Sequence, residues 1–419
     1  MNAKLKNAAI QLLIVFLSAL VLALGYICAK GEKNALDNED RAHSTFETAK
    51  VISIDDKIEM TDIPDSQEDY NLLLTCKMLS GADKGKTVHA IQNISSYLNQ
   101  QIRPVTQGDK IILTLVEDAA GESWYFAEYV RSDMLAVLLA LFILGLVVFG
   151  KMSGVKTVIS LALTCGAVFY MLIPAIYSGQ SAYLWSIIVC LYIIVMTLCI
   201  VNGLRYMSLA TGLGCVAGIV FAAVMMQITD KVMKLTGFLD ETSMYLSFID
   251  MNGPVDLKSI VFASVTIGCV GAVMDVAVDI SAALHEIAMK LKKPSFSGLI
   301  ESGFNIGHDI MGTMSNTLIL AHIGSSISFV LLVIYNSSDS MLFLFNREII
   351  VAEGLKILIG SLGILMTIPL STLICAFLYT RRSFIEHRKV TEFEDENDEN
   401  TAELLELAAT MHEEAANDK

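Results

Sequence analysis

Residues 182–201 read Ala-Tyr-Leu-Trp-Ser-Ile-Ile-Val-Cys-Leu-Tyr-Ile-Ile-Val-Met-Thr-Leu-Cys-Ile-Val, with no charged side chain among them. About 20 such residues, rising about 1.5 Å each, cover the roughly 30 Å hydrocarbon core of a bilayer, so the stretch predicts a transmembrane helix. Working outward, comparable apolar runs lie at 8–29, 134–150, 157–174, 209–227, 260–280, 310–334 and 355–378. The expectation is an α-helical polytopic membrane protein with about eight transmembrane helices. Composition agrees: 54% of the 419 residues are hydrophobic and only 17% are charged, against about 25% in a soluble domain, which excludes a soluble globular enzyme. The balance is acidic, with a formal net charge of −15, and no basic face is clustered, so nucleic acid is not an expected partner.

Orientation follows from the basic residues in the short loops. Lys4 and Lys6, Lys151 and Lys156, Arg205, then Lys290, Lys292 and Lys293, and finally Arg381, Arg382, Arg388 and Lys389 all fall on one side of an eight-span layout. That places both termini in the cytoplasm of a cell-membrane protein. The first run exceeds the roughly 7 to 15 residues of a signal-peptide core, so residues 1–30 are expected to stay as a transmembrane anchor.

Residues 31–133 then lie outside. Alternating short runs at 49–54, 70–79, 86–91, 110–116 and 124–130 are separated by turn chemistry such as Ser80-Gly81-Ala82-Asp83-Lys84-Gly85 and Gln107-Gly108-Asp109. Five short strands predict a small extracytoplasmic β-barrel or β-sandwich-like domain, and closure into a barrel would remove exposed strand edges. His43 and His89 stand apart in sequence and suggest no catalytic set. Residues 134–380 form the membrane domain, with seven of the helices, and 381–419 a cytoplasmic tail. Between Thr391 and Lys419 eleven acids face Lys419 alone, the pattern of a solvated acidic segment. Asp230, Asp240, Glu241, Asp250 and Asp256 belong to a second outer loop.

Seven cysteines (Cys28, Cys165, Cys190, Cys199, Cys215, Cys269 and Cys375) sit singly in apolar runs, where they act as small hydrophobes. Cys76 alone falls in the polar region, so no disulfide inside that region and no zinc spacing is expected. No metal site and no cofactor is expected either. Gly212, Gly214 and Gly218 predict close packing of the fifth span, and Pro174 and Pro369 are read as lying near span ends.

Two spans break the apolar rule. A charge at the centre of a span costs about 2.5–3.5 kcal/mol, so such residues usually face protein or water. In the sixth span, helical geometry puts Gly268, Gly271, Asp275, Asp279, Ala282 and Glu286 on one stripe. In the seventh, Asn305, Gly312, Thr313 and Asn316 fall within about 60° of Asp309, while His308, Ser315 and His322 form a second polar line. Small residues let helices approach and polar groups bond across the contact, so the stripes are expected to face each other. Paired carboxylates with neutral oxygens beside them suit a proton or a cation. Structural gluing of two helices is the bland alternative.

The run 268–286 together with Asn305-Ile306-Gly307-His308-Asp309-Ile310-Met311-Gly312-Thr313-Met314-Ser315-Asn316-Thr317-Leu318-Ile319-Leu320-Ala321 resembles the signature of the YibE/F family of bacterial membrane proteins. The resemblance extends over nearly the whole chain: an N-terminal anchor, an outer β domain with a Ser80-Gly81…Lys84-Gly85-Lys86 turn, and a multi-span block. It departs at His308, where the family usually has another basic residue, and at His322, where it usually has Tyr. Because a histidine side chain in general changes charge near neutral pH, a role at either position would be pH-sensitive. The resemblance implies the multi-pass architecture and supplies no substrate; Asp275, Asp279, Asn305, Gly307, Asp309, Gly312, Thr313, Asn316 and Thr317 are the positions it carries over as a functional core.

The leading expectation is therefore a non-enzymatic transporter or permease for an unknown small solute or ion, embedded in the bilayer alone or with copies of itself or other membrane subunits. Asp275, Asp279, Asn305, Asp309, Thr313 and Asn316 would line the pathway, with Gly268, Gly271, Gly307, Gly312 and Thr317 packing it. A scaffold acting through the outer domain is the second expectation. An intramembrane aspartyl protease is a distant third, because the Tyr-Asp and Gly-x-Gly-Asp signatures are missing.

Overall fold

The computed structural model describes residues 3–30, 45–59, 70–94, 103–118, 121–239, 241–248, 255–291, 294–335 and 341–381. His43, Asp240, Asp250, Lys292, Lys293, Arg382, Arg388, Lys389 and the acidic tail lie outside the described residues. The chain forms two compact units, Asp37–Lys151 and the remainder, Met1–Leu36 with Met152–Lys419.

The first unit contains strands β1 (Phe46–Glu59), β2 (Tyr70–Met78), β3 (Thr87–Ile94), β4 (Lys110–Asp118) and β5 (Gly121–Tyr129). They close into a barrel in the order β1-β2-β3-β5-β4, antiparallel throughout except for the parallel β3–β5 pair. The barrel alternative is thus the one adopted. Period-two alternation builds its core: Leu72, Leu74, Cys76 and Met78 from β2 point inward with Ala49, Val51, Ala90, Ile111 and Leu113. Buried Gln92 ties β3 to the segment that precedes β4. Its Nε2 donates to the Arg103 carbonyl at 3.1 Å, and its Oε1 accepts from the Val105 amide at 2.9 Å. The 80–85 turn forms as read, with Gly81 and Gly85 at φ 76° and 90°, a region costly for other residues.

His89 is less isolated than its spacing suggests. The β2–β3 register sets it beside Thr75, whose Oγ1 lies 3.2 Å from His89 Nδ1 and donates to Asp55 Oδ2 at 2.5 Å. Ser53 adds a second bond to Asp55 at 2.7 Å. These two hydroxyl donors hold the Asp55 carboxyl below the usual carboxylate range.

Helix α1 (Ala3–Lys30) precedes the barrel, and α2 (Ser132–Ala167) follows it. A π-helical stretch (Val168–Leu172) and α3 (Ile173–Tyr177) continue α2, so the apolar helical run covers Ser132–Tyr177. At 46 residues it would measure about 69 Å if straight, roughly twice a hydrocarbon core. Lys151 breaks it, with φ 48° and ψ −127°. The compact units also divide there. Pro174 lies in α3, directly after the π-helical stretch and close to the end of this run.

Beyond α3 come α4 (Ala182–Val201), α5 (Tyr206–Met233), α6 (Glu241–Phe248), α7 (Leu257–Lys290), α8 (Phe296–Ser325), α9 (Ile327–Tyr335), α10 (Met341–Phe345) and α11 (Glu348–Tyr379). Among the described residues six helical runs are long and apolar enough to cross a membrane: Ala9–Lys30, Ser132–Tyr177, Ala182–Val201, Tyr206–Met233, Leu257–Lys290 and Glu348–Tyr379. The expectation of eight differs for two physical reasons. The runs 134–150 and 157–174 join through Lys151 instead of a loop. The run 310–334 is divided at Ser326, and α8 is too polar along its length to qualify.

The anchor α1 packs into the second unit. Tyr192 Oη donates to the Ser18 carbonyl at 3.0 Å, and Ser178 Oγ donates to the Ala29 carbonyl at 2.7 Å. The hub of this unit is α11, which packs against α5, α7 and α8. Glycine makes these approaches close: a Cβ on Gly214 would stand 2.3 Å from Ser371 Oγ, and one on Gly218 2.1 Å from Thr367 Oγ1. Close packing of the fifth span is thus observed. Pro369, read as lying near a span end, lies inside α11, which runs on to Tyr379.

Candidate functional site

The candidate site is the polar face of the α7–α8 hairpin. Asp256 caps α7, accepting from the Ser259 amide at 3.4 Å, and Ser295 caps α8, accepting from the Gly298 amide at 3.2 Å. Each helix buries one face. Val273, Val276, Ala277, Ile280 and Leu284 of α7 are buried, as are Leu299, Gly303 and Gly307 of α8.

Two contacts define how the helices run past one another. A Cβ on Gly303 would meet Leu284 Cδ1 at 3.1 Å, and Leu318 and Cys269 both approach the same residue, Gly360. The hairpin is therefore antiparallel, and helical rise puts Asp279 level with His308 and Asp309, Asp275 with Gly312 and Thr313, and Gly271 with Asn316. The polar residues of the two helices share a band near the middle of α7.

Within that band the stripes turn away from the packed core. Gly268, Gly271, Asp275 and Asp279 are exposed, and so are Asn305, His308, Asp309, Gly312, Thr313, Asn316 and Thr317. No hydrogen bond or ion pair joins the two stripes among the described residues. The motif glycines divide: a Cβ on Gly307 would come 2.2 Å from Ile368 Cγ2, whereas Gly268, Gly271 and Gly312 have nothing within 4 Å. Gly307 and Gly303, which the sequence reading passed over as a packing residue, are where α8 meets α11. The other three leave a smooth, open surface beside the acids. The second polar line is partly self-satisfied: His322 Nδ1 lies 2.9 Å from the Leu318 carbonyl, which can only accept, so that nitrogen is assigned the proton.

The chemistry of the face is acceptor-rich. Thr313 Oγ1 donates back to the Ile310 carbonyl at 2.9 Å, and Thr317 Oγ1 to the Thr313 carbonyl at 3.0 Å. With their protons committed to the backbone, these hydroxyls offer lone pairs outward. Beside the carboxylates of Asp275, Asp279 and Asp309 and the amide oxygens of Asn305 and Asn316, they suit a cation or a proton donor. Among the described residues no group of three or more His, Cys, Asp or Glu side chains is gathered as a metal site.

Sequence reading missed a second feature. Tyr183, Gln227, Asp230, Lys231 and Lys258 help line a cavity of about 270 Å³ where α4 begins, α5 ends and α7 begins. Asp230 had been assigned only to a loop. The signal that could have found it is the cluster of polar residues at three neighbouring helix ends.

These observations define a class: an integral membrane protein, mostly helical, whose hairpin carries carboxylates and amides on a bare face. Residues 138–381 match the model of the YibE/F-like protein family, and the chain belongs to that family. The matched region contains α7, α8 and α11 and every candidate pathway residue. No curated protein and no solved structure matches the chain.

Proposed function

We propose that the chain is a permease for a cation, coupled to or carrying protons, whose pathway runs along the polar face of α7 and α8. One observation carries this reading: Asp275, Asp279 and Asp309 occupy one band of the hairpin, exposed and unpaired among the described residues. If that face met lipid, three carboxylates at about 2.5–3.5 kcal/mol each would cost about 8–10 kcal/mol, as much as the whole stability of many domains. Water, or protein and water, must therefore cover it.

In this reading α8 with α9 crosses the membrane, and the helical run broken at Lys151 crosses it twice, giving eight spans with both termini cytoplasmic in a cell membrane. The barrel lies outside. Another copy, or another membrane subunit, completes the cleft. No covalent chemistry is required of the chain.

The test is ion flux in liposomes containing the purified protein, with proton, sodium and potassium gradients imposed in turn. Wild-type protein should dissipate at least one gradient, and the Asp275→Asn/Asp309→Asn double variant should not, while retaining its thermal unfolding profile. Equal flux from the folded double variant would overturn the proposal.

A further inference from the structure

A second cavity, of about 480 Å³, lies at the opposite end of α4 from the first, where the α4–α5 turn meets α1 and α2. Its walls include Gln11, Lys156, Asn202 and Arg205, with hydrocarbon from Ile14 and Leu204. We infer that this cavity holds the phosphodiester headgroup of an anionic phospholipid.

Three features of the lining converge on that ligand. Lys156 and Arg205 bring two positive charges to one cavity, and neither is paired with a carboxylate among the described residues, so both are available to an anion. The cavity opens at the start of α5, a 28-residue helix whose N-cap, Arg205, is extended and offers no side-chain capping bond. The N-terminal end of that helix's dipole favours negative charge there. The Gln11 and Asn202 amides add neutral donors. The volume is in the range of small-molecule sites, about 300–1,000 Å³, and the apolar side chains on α1 and the turn favour a headgroup attached to a glycerol and acyl chains over free phosphate. Basic cavities between membrane helices are where anionic headgroups bind. The inference does not depend on any transport by the α7–α8 face.

The test uses the full-length protein, delipidated in a nonionic detergent, and native mass spectrometry to count retained lipid. Phosphatidylglycerol is titrated against phosphatidylcholine of the same acyl chains, and separately against inorganic phosphate. Wild-type protein should retain phosphatidylglycerol preferentially. The Lys156→Gln/Arg205→Gln variant should lose that preference by roughly thirtyfold, as expected for two cations near an anionic headgroup. The charge-preserving Lys156→Arg/Arg205→Lys variant should keep most of it, which separates loss of charge from loss of fold. Equal retention of the two lipids by wild type, or undiminished preference in the Gln variant, would overturn the assignment. So would displacement of phosphatidylglycerol by inorganic phosphate at equal concentration, which would give the site to the free ion.

Discussion

Gly218 is the position where the packing of the membrane unit is most exposed to test. A Cβ there would stand 2.1 Å from Thr367 Oγ1, 3.0 Å from Val273 Cγ1 and 3.3 Å from Thr367 Cβ. Thr367 is fully buried and its hydroxyl donates to the Gly363 carbonyl at 2.6 Å, so it cannot swing aside without giving up that bond, worth about 0.5–1.5 kcal/mol. Overpacking of this kind costs about 1–3 kcal/mol. Alanine returns up to about 1 kcal/mol in helix propensity, so Gly218→Ala should lose about 1–3 kcal/mol when the lost bond is included. Gly271→Ala meets nothing within 4 Å and should be neutral or stabilised by up to about 1 kcal/mol. Thermal unfolding of the purified protein in one detergent compares them directly. Removing the obstructing hydroxyl should rescue the first variant: Gly218→Ala with Thr367→Ala should be less destabilised than the two changes added, by about 1 kcal/mol or more. Strict additivity, or equal loss from Gly218→Ala and Gly271→Ala, would refute α11 as the packed hub.

Two further outcomes concern the barrel. Burial pushes the Cys76 thiol up to about 11, so at pH 8 it should alkylate far more slowly in the folded protein than after denaturation, measured by timed maleimide labelling and peptide mapping; equal rates would contradict the closed core. Asp55, held low by Thr75 and Ser53, contributes stability that is fully present above the ordinary carboxylate value and is lost as pH falls through its own lowered value. Thr75→Val should therefore raise the Asp55 pKa in a carboxyl-labelled aspartate NMR titration, and no change would show that the short bond is not the cause.

How much of this was legible in the sequence depends on what each segment faces. The barrel strands sit between a core and water, so Leu72, Leu74, Cys76 and Met78 alternate visibly with their neighbours, and Gly81 marks its turn. The helices of the second unit are different. In α11 one side meets protein and another is left apolar and exposed at Leu358, Leu362, Leu365 and Leu373. Both environments accept the same hydrocarbon, so periodicity fades and the hub role of Gly360, Gly363, Thr367 and Ser371 leaves only small residues as a trace. The stripes on α7 and α8 were legible because acids interrupt an apolar background. Their relation was not: a helical wheel gives the face of each helix but not which face meets the neighbour. The interruption at Lys151 was legible, because the apolar runs stop at 150 and resume at 157 around Lys151 and Lys156, but its form was not, since nothing in Gly150-Lys151-Met152 demands a positive φ.

The central claim is that water reaches the α7–α8 face. Single cysteines at positions 275 and 313, and at the apolar exposed positions Leu365 and Val224 as references, can be compared in reconstituted protein whose exposed Cys28 and Cys165 have been changed to Ser. A charged, membrane-impermeant thiol reagent should label Asp275→Cys and Thr313→Cys readily and leave Leu365→Cys and Val224→Cys largely unmodified. Labelling at 275 and 313 no faster than at 365 and 224 would mean the carboxylate face is dry, and the permease proposal would fall with it.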